Sequence, residues 1–165
     1  EFIIWKYLGF RPDGRTERSG TARTSCNWIV YRYADVLLMK AEALSQVGRY
    51  AEAYNIVNEI RAKRGISSTP VPASSPTAYE DFILEERCKE LAFEGKRWFD
   101  LMRMGRRNNY SRKSTLIDIM VRNVPSTQKR IIQTKLTNPL SWYLPIYKSE
   151  LERNKNLVQN PYYNF

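Results

Sequence analysis

Residues 31–63 read YRYADVLLMKAEALSQVGRYAEAYNIVNEIRAK, and their apolar positions fall into two runs at helical spacing. Ala34, Leu37, Leu38, Ala41, Leu44 and Val47 recur at steps of three and four, which predicts a helix over 30–47 that Gly48 stops. Tyr50, Ala53, Val57 and Ile60 form the stripe of a second helix, Tyr50 to Lys63, closed by Gly65. The link between them is too short for anything but an antiparallel helical hairpin. Small Ala41, Ala43 and Ala53 allow close packing, and Val47-Gly48 followed by Tyr50 and Ala53 has a tetratricopeptide look. One copy does not make an array, and an ordinary helical hairpin explains it equally well.

Outward from the hairpin, residues 66–78 (ISSTPVPASSPTA) hold three prolines and four serines and read as an irregular loop. A third helix is expected from Tyr79 to Phe93, with Leu84, Cys88 and Leu91 inward. Gly95 interrupts it, and Trp98, Leu101 and Met102 mark a fourth helix ending at Gly105. Leu116, Ile119 and Met120 suggest a brief fifth. Residues 131–136 (IIQTKL) have strand composition, and the tail from Leu140 reads as an extended surface wrap. Upstream, residues 1–8 favour a strand, and Pro12-Asp13-Gly14 a turn. The fold class is therefore mainly α, with tetratricopeptide-like helical hairpins, long irregular loops and little β.

The chain has 165 residues, which fits a single domain over 1–165. It carries 27 Lys and Arg against 17 Asp and Glu, for a net charge of +10, and no histidine. A Ser-His-Asp triad, a Cys-His dyad and a His-ligated zinc or haem cannot be built from it. No apolar run is long enough for a transmembrane helix, and residues 1–10 are too short and begin too acidic for a signal peptide. The missing initiator Met reads as a piece of something longer. Two cysteines, Cys26 and Cys88, permit one disulfide and are too few for a cysteine metal site. Neither metal nor cofactor is expected.

Three patterns suggest chemistry. Glu86, Glu90 and Glu94 stand four apart, with Glu85 and Asp100 nearby, and paired carboxylates can serve glycoside hydrolysis. Interleaved Arg87, Lys89, Lys96 and Arg97 make salt bridges the commoner meaning. Between 103 and 135 nine cations face only Asp118, a footprint that can bind phosphates. Only Tyr110 interleaves with them, so a base-stacking platform is lacking and a solvated basic face is the plainer reading. Trp142, Tyr143 and Tyr147, then Tyr162 and Tyr163, lie in segments without helical period. Flat rings there suit sugar faces, although pinning a tail to the body is their commoner use.

Three stretches carry more than generic helix: 31–44 (YRYADVLLMKAEAL), 86–101 (ERCKELAFEGKRWFDL), and Leu144-Pro145-Ile146-Tyr147 leading to Gln159-Asn160-Pro161. Together they resemble the SusD/RagB family of Bacteroidetes, whose pattern runs RYADVLLMxAEAL, ERxxELxFEGxRWFDLxR, then LPIPxxE and QNPGY. The resemblance spans roughly residues 28–163. It implies a surface-facing outer-membrane lipoprotein that caps a SusC-like TonB-dependent transporter and captures oligosaccharides, or sometimes peptides, without catalysis. The lipid-bearing cysteine and N-terminal half of such proteins are absent from this chain. Tyr147 replaces the second proline of the family's Pro-Ile-Pro, and Tyr162 the glycine of its Pro-Gly-Tyr.

The resemblance assigns Arg32, Asp35, Glu94, Gly95, Arg97, Trp98 and Asp100 to scaffold. Arg97 and Asp100 are expected to pair near a Trp98 core, whose loss would cost about 3–5 kcal/mol. Glu94-Gly95 makes the bend between helices. The candidate ligand contacts are Tyr110, Trp142 and Tyr143, and Trp142→Ala is expected to weaken sugar binding without unfolding. The rival readings are a tetratricopeptide-type protein-interaction module and nucleic-acid binding through 103–135; no nucleic acid is expected on balance.

Overall fold

The structure is a computed structural model that describes residues 6, 13–15, 29–67 and 69–163. The described residues form helices and 3-10 turns and no strand. The expected strand over 1–8 and Cys26 lie outside them, apart from Lys6. The turn at Asp13-Gly14 is present: Gly14 has φ +79°, and Asp13 Oδ1 accepts from the Arg15 amide at 3.0 Å. The chain divides into two compact units, one ending at Arg97 and the other Trp98–Phe165.

In the first unit, α1 (Tyr33–Gln46) and α2 (Tyr50–Lys63) form the hairpin, and α3 (Pro76–Glu90) packs mainly on α1. Gly48 sits at φ +77°, a left-handed turn that a side chain would resist. Leu38, Ala41, Leu44, Ala53, Val57, Ile60, Tyr79, Ile83 and Leu91 make the core. Tyr79 stacks on Tyr50 at 4.7 Å and meets Phe82 edge-on at 6.2 Å. Val47 lies just past the end of α1 and is exposed rather than inward. The proline-serine loop is shorter than its composition suggests. Ser75 caps α3 by accepting from the Ala78 amide at 3.2 Å, and Pro76 fits the first helical position, where no N–H is needed. Tyr54 ties the loop down through its hydroxyl to Thr69 O, 2.8 Å. Cys88 is exposed, not inward: the buried positions of α3 are Tyr79, Glu80, Ile83, Leu84, Glu86 and Arg87.

In the second unit, α4 (Arg97–Tyr110) is regular only as far as Arg106. Next come α5 (Lys113–Val121), α6 (Ser126–Leu136), a 3-10 turn Pro139–Trp142, α7 (Lys148–Arg153) and a closing 3-10 turn Pro161–Tyr163. The strand expected over 131–136 is the second half of α6. Pro125 O accepts from the Gln128 and Lys129 amides and starts the helix, while Ile132 and Leu136, four apart, turn inward and Ile131 is exposed. The β-branched pair misled because composition outweighed period. The tail is likewise not simply extended, being broken by α7 and two 3-10 turns.

Trp142 is the largest of the fully buried side chains, with 2% of its surface exposed. Leu101, Met104, Leu116, Ile117, Val121 and Leu136 are buried in the same unit. A Cβ at Gly105 would stand 2.8 Å from Leu116 Cδ1 and 3.0 Å from Trp142 Cη2. Glycine here makes room for the indole. Gly105→Ala is therefore expected to destabilise by about 1–3 kcal/mol, read as a lower denaturant midpoint at unchanged slope.

Candidate functional site

Two constellations come out of the fold. The first ties the 31–44 stretch to the 86–101 stretch by charge. Arg32 reaches Glu90 Oε1 at 2.7 Å and Glu90 O at 2.6 Å, and its Nε bonds Glu94 at 3.1 Å. Arg64 adds a 2.6 Å bond to Glu90, Lys6 a 2.7 Å bond to Glu94, and Arg61 lies 3.1 Å from Glu86. Asp35, 1% exposed, faces Arg87 at 2.9 Å and Lys96 at 3.3 Å. Glu94 is not on the face of α3 at all: the helix ends at Glu90, and the turn through Gly95 (φ +72°) brings Glu94 back to Arg32. Arg97 donates to Leu84 O at 2.9 Å, and Asp100 meets Arg103 at 2.9 Å, so the expected Arg97–Asp100 pair is replaced by these. Arg97 and Arg103 both stand three residues from Asp100, and Arg97 is drawn away by the Leu84 carbonyl.

Hydrogen bonds from Arg64, then from Arg32, outweigh burial and hold the Glu90 carboxyl at about 2. Burial works against the charge of Glu94, but the bonds from Arg32 and Lys6 more than offset it and lower that carboxyl too. Burial raises Glu86, opposed by Arg61. A carboxyl held near 2 cannot donate a proton at neutral pH, which removes Glu90 as a general acid. The sign for stability follows. Unfolded Glu90 takes up a proton near its ordinary 4.5, and folded Glu90 near 2, so its contribution is whole above about 4.5 and is lost as pH falls through 2. The stability advantage of the natural chain over Glu90→Gln should therefore be constant from neutral pH down to about 5 and shrink below that. Urea titrations of both chains at stepped pH check it; an advantage unchanged down to about pH 2.5 contradicts it.

A cavity of about 390 Å³ opens beside this network, lined by Lys6, Ile29, Arg32, Arg64, Lys89, Glu90 and Glu94. Its charged groups are engaged with one another, with Lys89 on Glu85 at 2.5 Å.

The second constellation gathers all three sequence candidates. Tyr110 meets Trp142 edge-to-face at 5.6 Å, and the guanidinium of Arg106 lies 5.6 Å above the Tyr143 ring. Trp142 itself is corrected from exposed platform to core: it is buried, and its indole N–H donates to Leu136 O at 2.9 Å. Trp98, expected as core, is half-buried and donates to Trp142 O at 3.2 Å. Tyr110 and Tyr143 are half-buried, each with part of its surface open. Asn108, Asn109 and Tyr110 have φ of +50°, +54° and +62°. Asparagine tolerates this left-handed region, but for Tyr110 it costs about 1–2 kcal/mol, a strain that sets the ring against Trp142. Asn108 and Asn109 are exposed beside it.

Tyr143 is held by the end of the chain. Gln159 accepts from the Ile146 amide and donates to Ile146 O, both at 2.9 Å, as a strand partner would. Asn160 donates to Leu140 O at 2.9 Å and to Tyr143 O at 3.3 Å. The two halves of the third sequence motif thus grip each other on either side of Tyr143. Arg106 and the asparagine pair had no signal in periodicity; only the break of helical pattern after Gly105 hinted at them. Among the described residues no group of three or more potential metal ligands occurs.

Charge clasps tie the first two motifs together, and side-chain clasps join the two halves of the third. The match to the SusD family model covers residues 3–163, and this chain belongs to that family. It is 38% identical over 144 residues to SusD-like protein P38 of Formosa agariphila, covering 82% of this chain and 25% of that protein. It is 33% identical over 163 residues to SusD-like protein P2 of the same organism, covering 94% and 28%. The chain thus spans about a quarter of the length of these curated relatives. No solved structure gives a significant match.

Proposed function

We propose that this chain is the C-terminal part of a SusD-like outer-membrane lipoprotein, folding as one domain over 1–165, that captures a nutrient oligosaccharide at the cell surface without catalysis and passes it to a SusC-like TonB-dependent transporter. The observation that carries the reading is family membership across nearly the whole chain. Two features of the fold support it. The carboxylates that suggested hydrolysis are engaged by Arg32, Arg61, Arg64 and Lys6, and the two half-buried tyrosines belong to one compact unit. Among the described residues no helix is long and apolar enough to cross a membrane, so attachment would come from a lipid anchor elsewhere in the longer protein.

The test is fractionation of source cells with an antibody to this chain, followed by detergent extraction and capture. The reading expects a protein several times longer than this chain, in the outer membrane, recovered with a large β-barrel transporter. A band of this chain's own 19.5 kDa in the soluble fraction, with no such companion, overturns it.

A further inference from the structure

We propose that the oligosaccharide taken at the Tyr110–Tyr143 cluster is anionic, a uronate- or sulfate-bearing sugar whose acidic group is read by Arg106. The inference rests on the glycan-capture reading above and names the ligand's chemical class.

Eight of the described arginines have a carboxylate within ion-pair distance. Arg32, Arg61, Arg64 and Arg87 face Glu90 and Glu94, Glu86, Glu90 and Asp35. Arg103, one turn before Arg106 on α4, is matched to Asp100. Arg106, Arg122 and Arg130 are not among the eight, and of these three Arg106 is the one that lies on an aromatic ring. It is exposed, has no carboxylate partner among the described residues, and rests on the Tyr143 ring. A guanidinium lying on an aromatic face keeps its planar fork of N–H donors directed outward, ready for a bidentate bond to a carboxylate or sulfate. A sugar stacked on the open part of Tyr143 would place a ring substituent at that fork. The exposed amides of Asn108 and Asn109 stand on the same turn as Tyr110 and supply donors and acceptors for hydroxyl groups.

The surrounding field has the same sign. Arg122 after α5, and Lys129, Arg130 and Lys135 on α6, are exposed, and Asp118 is the sole acid from 103 to 135. Such a one-signed surface raises the local concentration of an anionic ligand and speeds its arrival. A polynucleotide would be drawn by the same field, but the site offers it two half-buried rings and no row of stacking faces.

The experiment probes the full-length protein with an array of neutral, uronate-containing and sulfated oligosaccharides, then titrates the best binders by calorimetry. Acidic sugars should dominate the bound set. Arg106→Gln should weaken them about tenfold, and by clearly more than it weakens any neutral binder, since a charge-assisted bond contributes about that factor. Arg106→Lys should retain part of the preference. Raising salt from about 50 mM to about 500 mM should weaken the acidic binders in the natural protein more than in Arg106→Gln. The uronate and sulfate subsets tell the two acidic groups apart. A bound set of neutral sugars, or an acidic preference untouched by Arg106→Gln, overturns this inference and leaves glycan capture standing. No binding anywhere on the array removes both. Equal binding of a single-stranded oligonucleotide of matched charge shows the field alone at work and overturns the sugar assignment.

Discussion

Replacing Trp142 with alanine is expected to destabilise the second unit by about 3–5 kcal/mol. The indole is 2% exposed, and buried Leu101, Met104, Leu116 and Leu136 belong to the same unit. Its removal leaves a cavity that Gly105, already in close contact with the ring, cannot fill. It also leaves Leu136 O without the indole N–H, a further penalty for a buried acceptor. Tyr110 loses the partner that its left-handed backbone is strained to meet. The measurement is urea unfolding followed by circular dichroism. A variant that melts with the natural chain would show the ring to be dispensable. Loss of sugar binding by Trp142→Ala would then report unfolding rather than a lost contact, the reverse of what the sequence alone suggested.

Asp35→Asn is expected to cost nearly as much, about 3–5 kcal/mol, because it removes the carboxylate that faces two buried or half-buried cations. Arg87 is 4% exposed and Lys96 18%, so water does not replace the lost charge. The contrast is Glu152→Gln on α7, where the pair with Lys148 stands in solvent at 3.9 Å and should change stability by less than about 1 kcal/mol. Equal effects of the two substitutions would show that the Asp35 centre is not a buried ion site.

The helical part of this architecture was legible because its signals are local. The α2 boundaries coincide with the expected ones, since Tyr50 to Ile60 keeps one stripe between two glycines with φ of +77°. The errors share a cause. Periodicity places a residue on a face but says nothing of what covers that face: Cys88 and Val47 share apolar stripes yet are exposed, and Trp142 lies outside any stripe yet is buried. Ile131-Ile132 were weighed by composition although Pro125 had already set a helix start. The carboxylate row was rightly read as ion-paired. Its main partners, Arg32, Arg61 and Arg64, come from α2 and the segment before α1, a long-range pairing that spacing along one helix cannot display. The same limit applies to the candidate site. Tyr110, Trp142 and Tyr143 were chosen for ring chemistry, and the fold brings them together, with Trp142 as support and the two tyrosines at the surface. Arg106 was one cation among nine until the fold laid it on Tyr143.

The central claim is that the open tyrosine faces of the second unit hold a sugar. Calorimetric titration of the full-length protein and its Tyr143→Ala variant with the same array-selected oligosaccharide tests it most directly, once both melt alike. The account predicts an affinity loss of at least about tenfold in the variant, the scale of one lost ring contact and its cation. Equal affinities in two equally stable proteins would contradict it and place the ligand elsewhere.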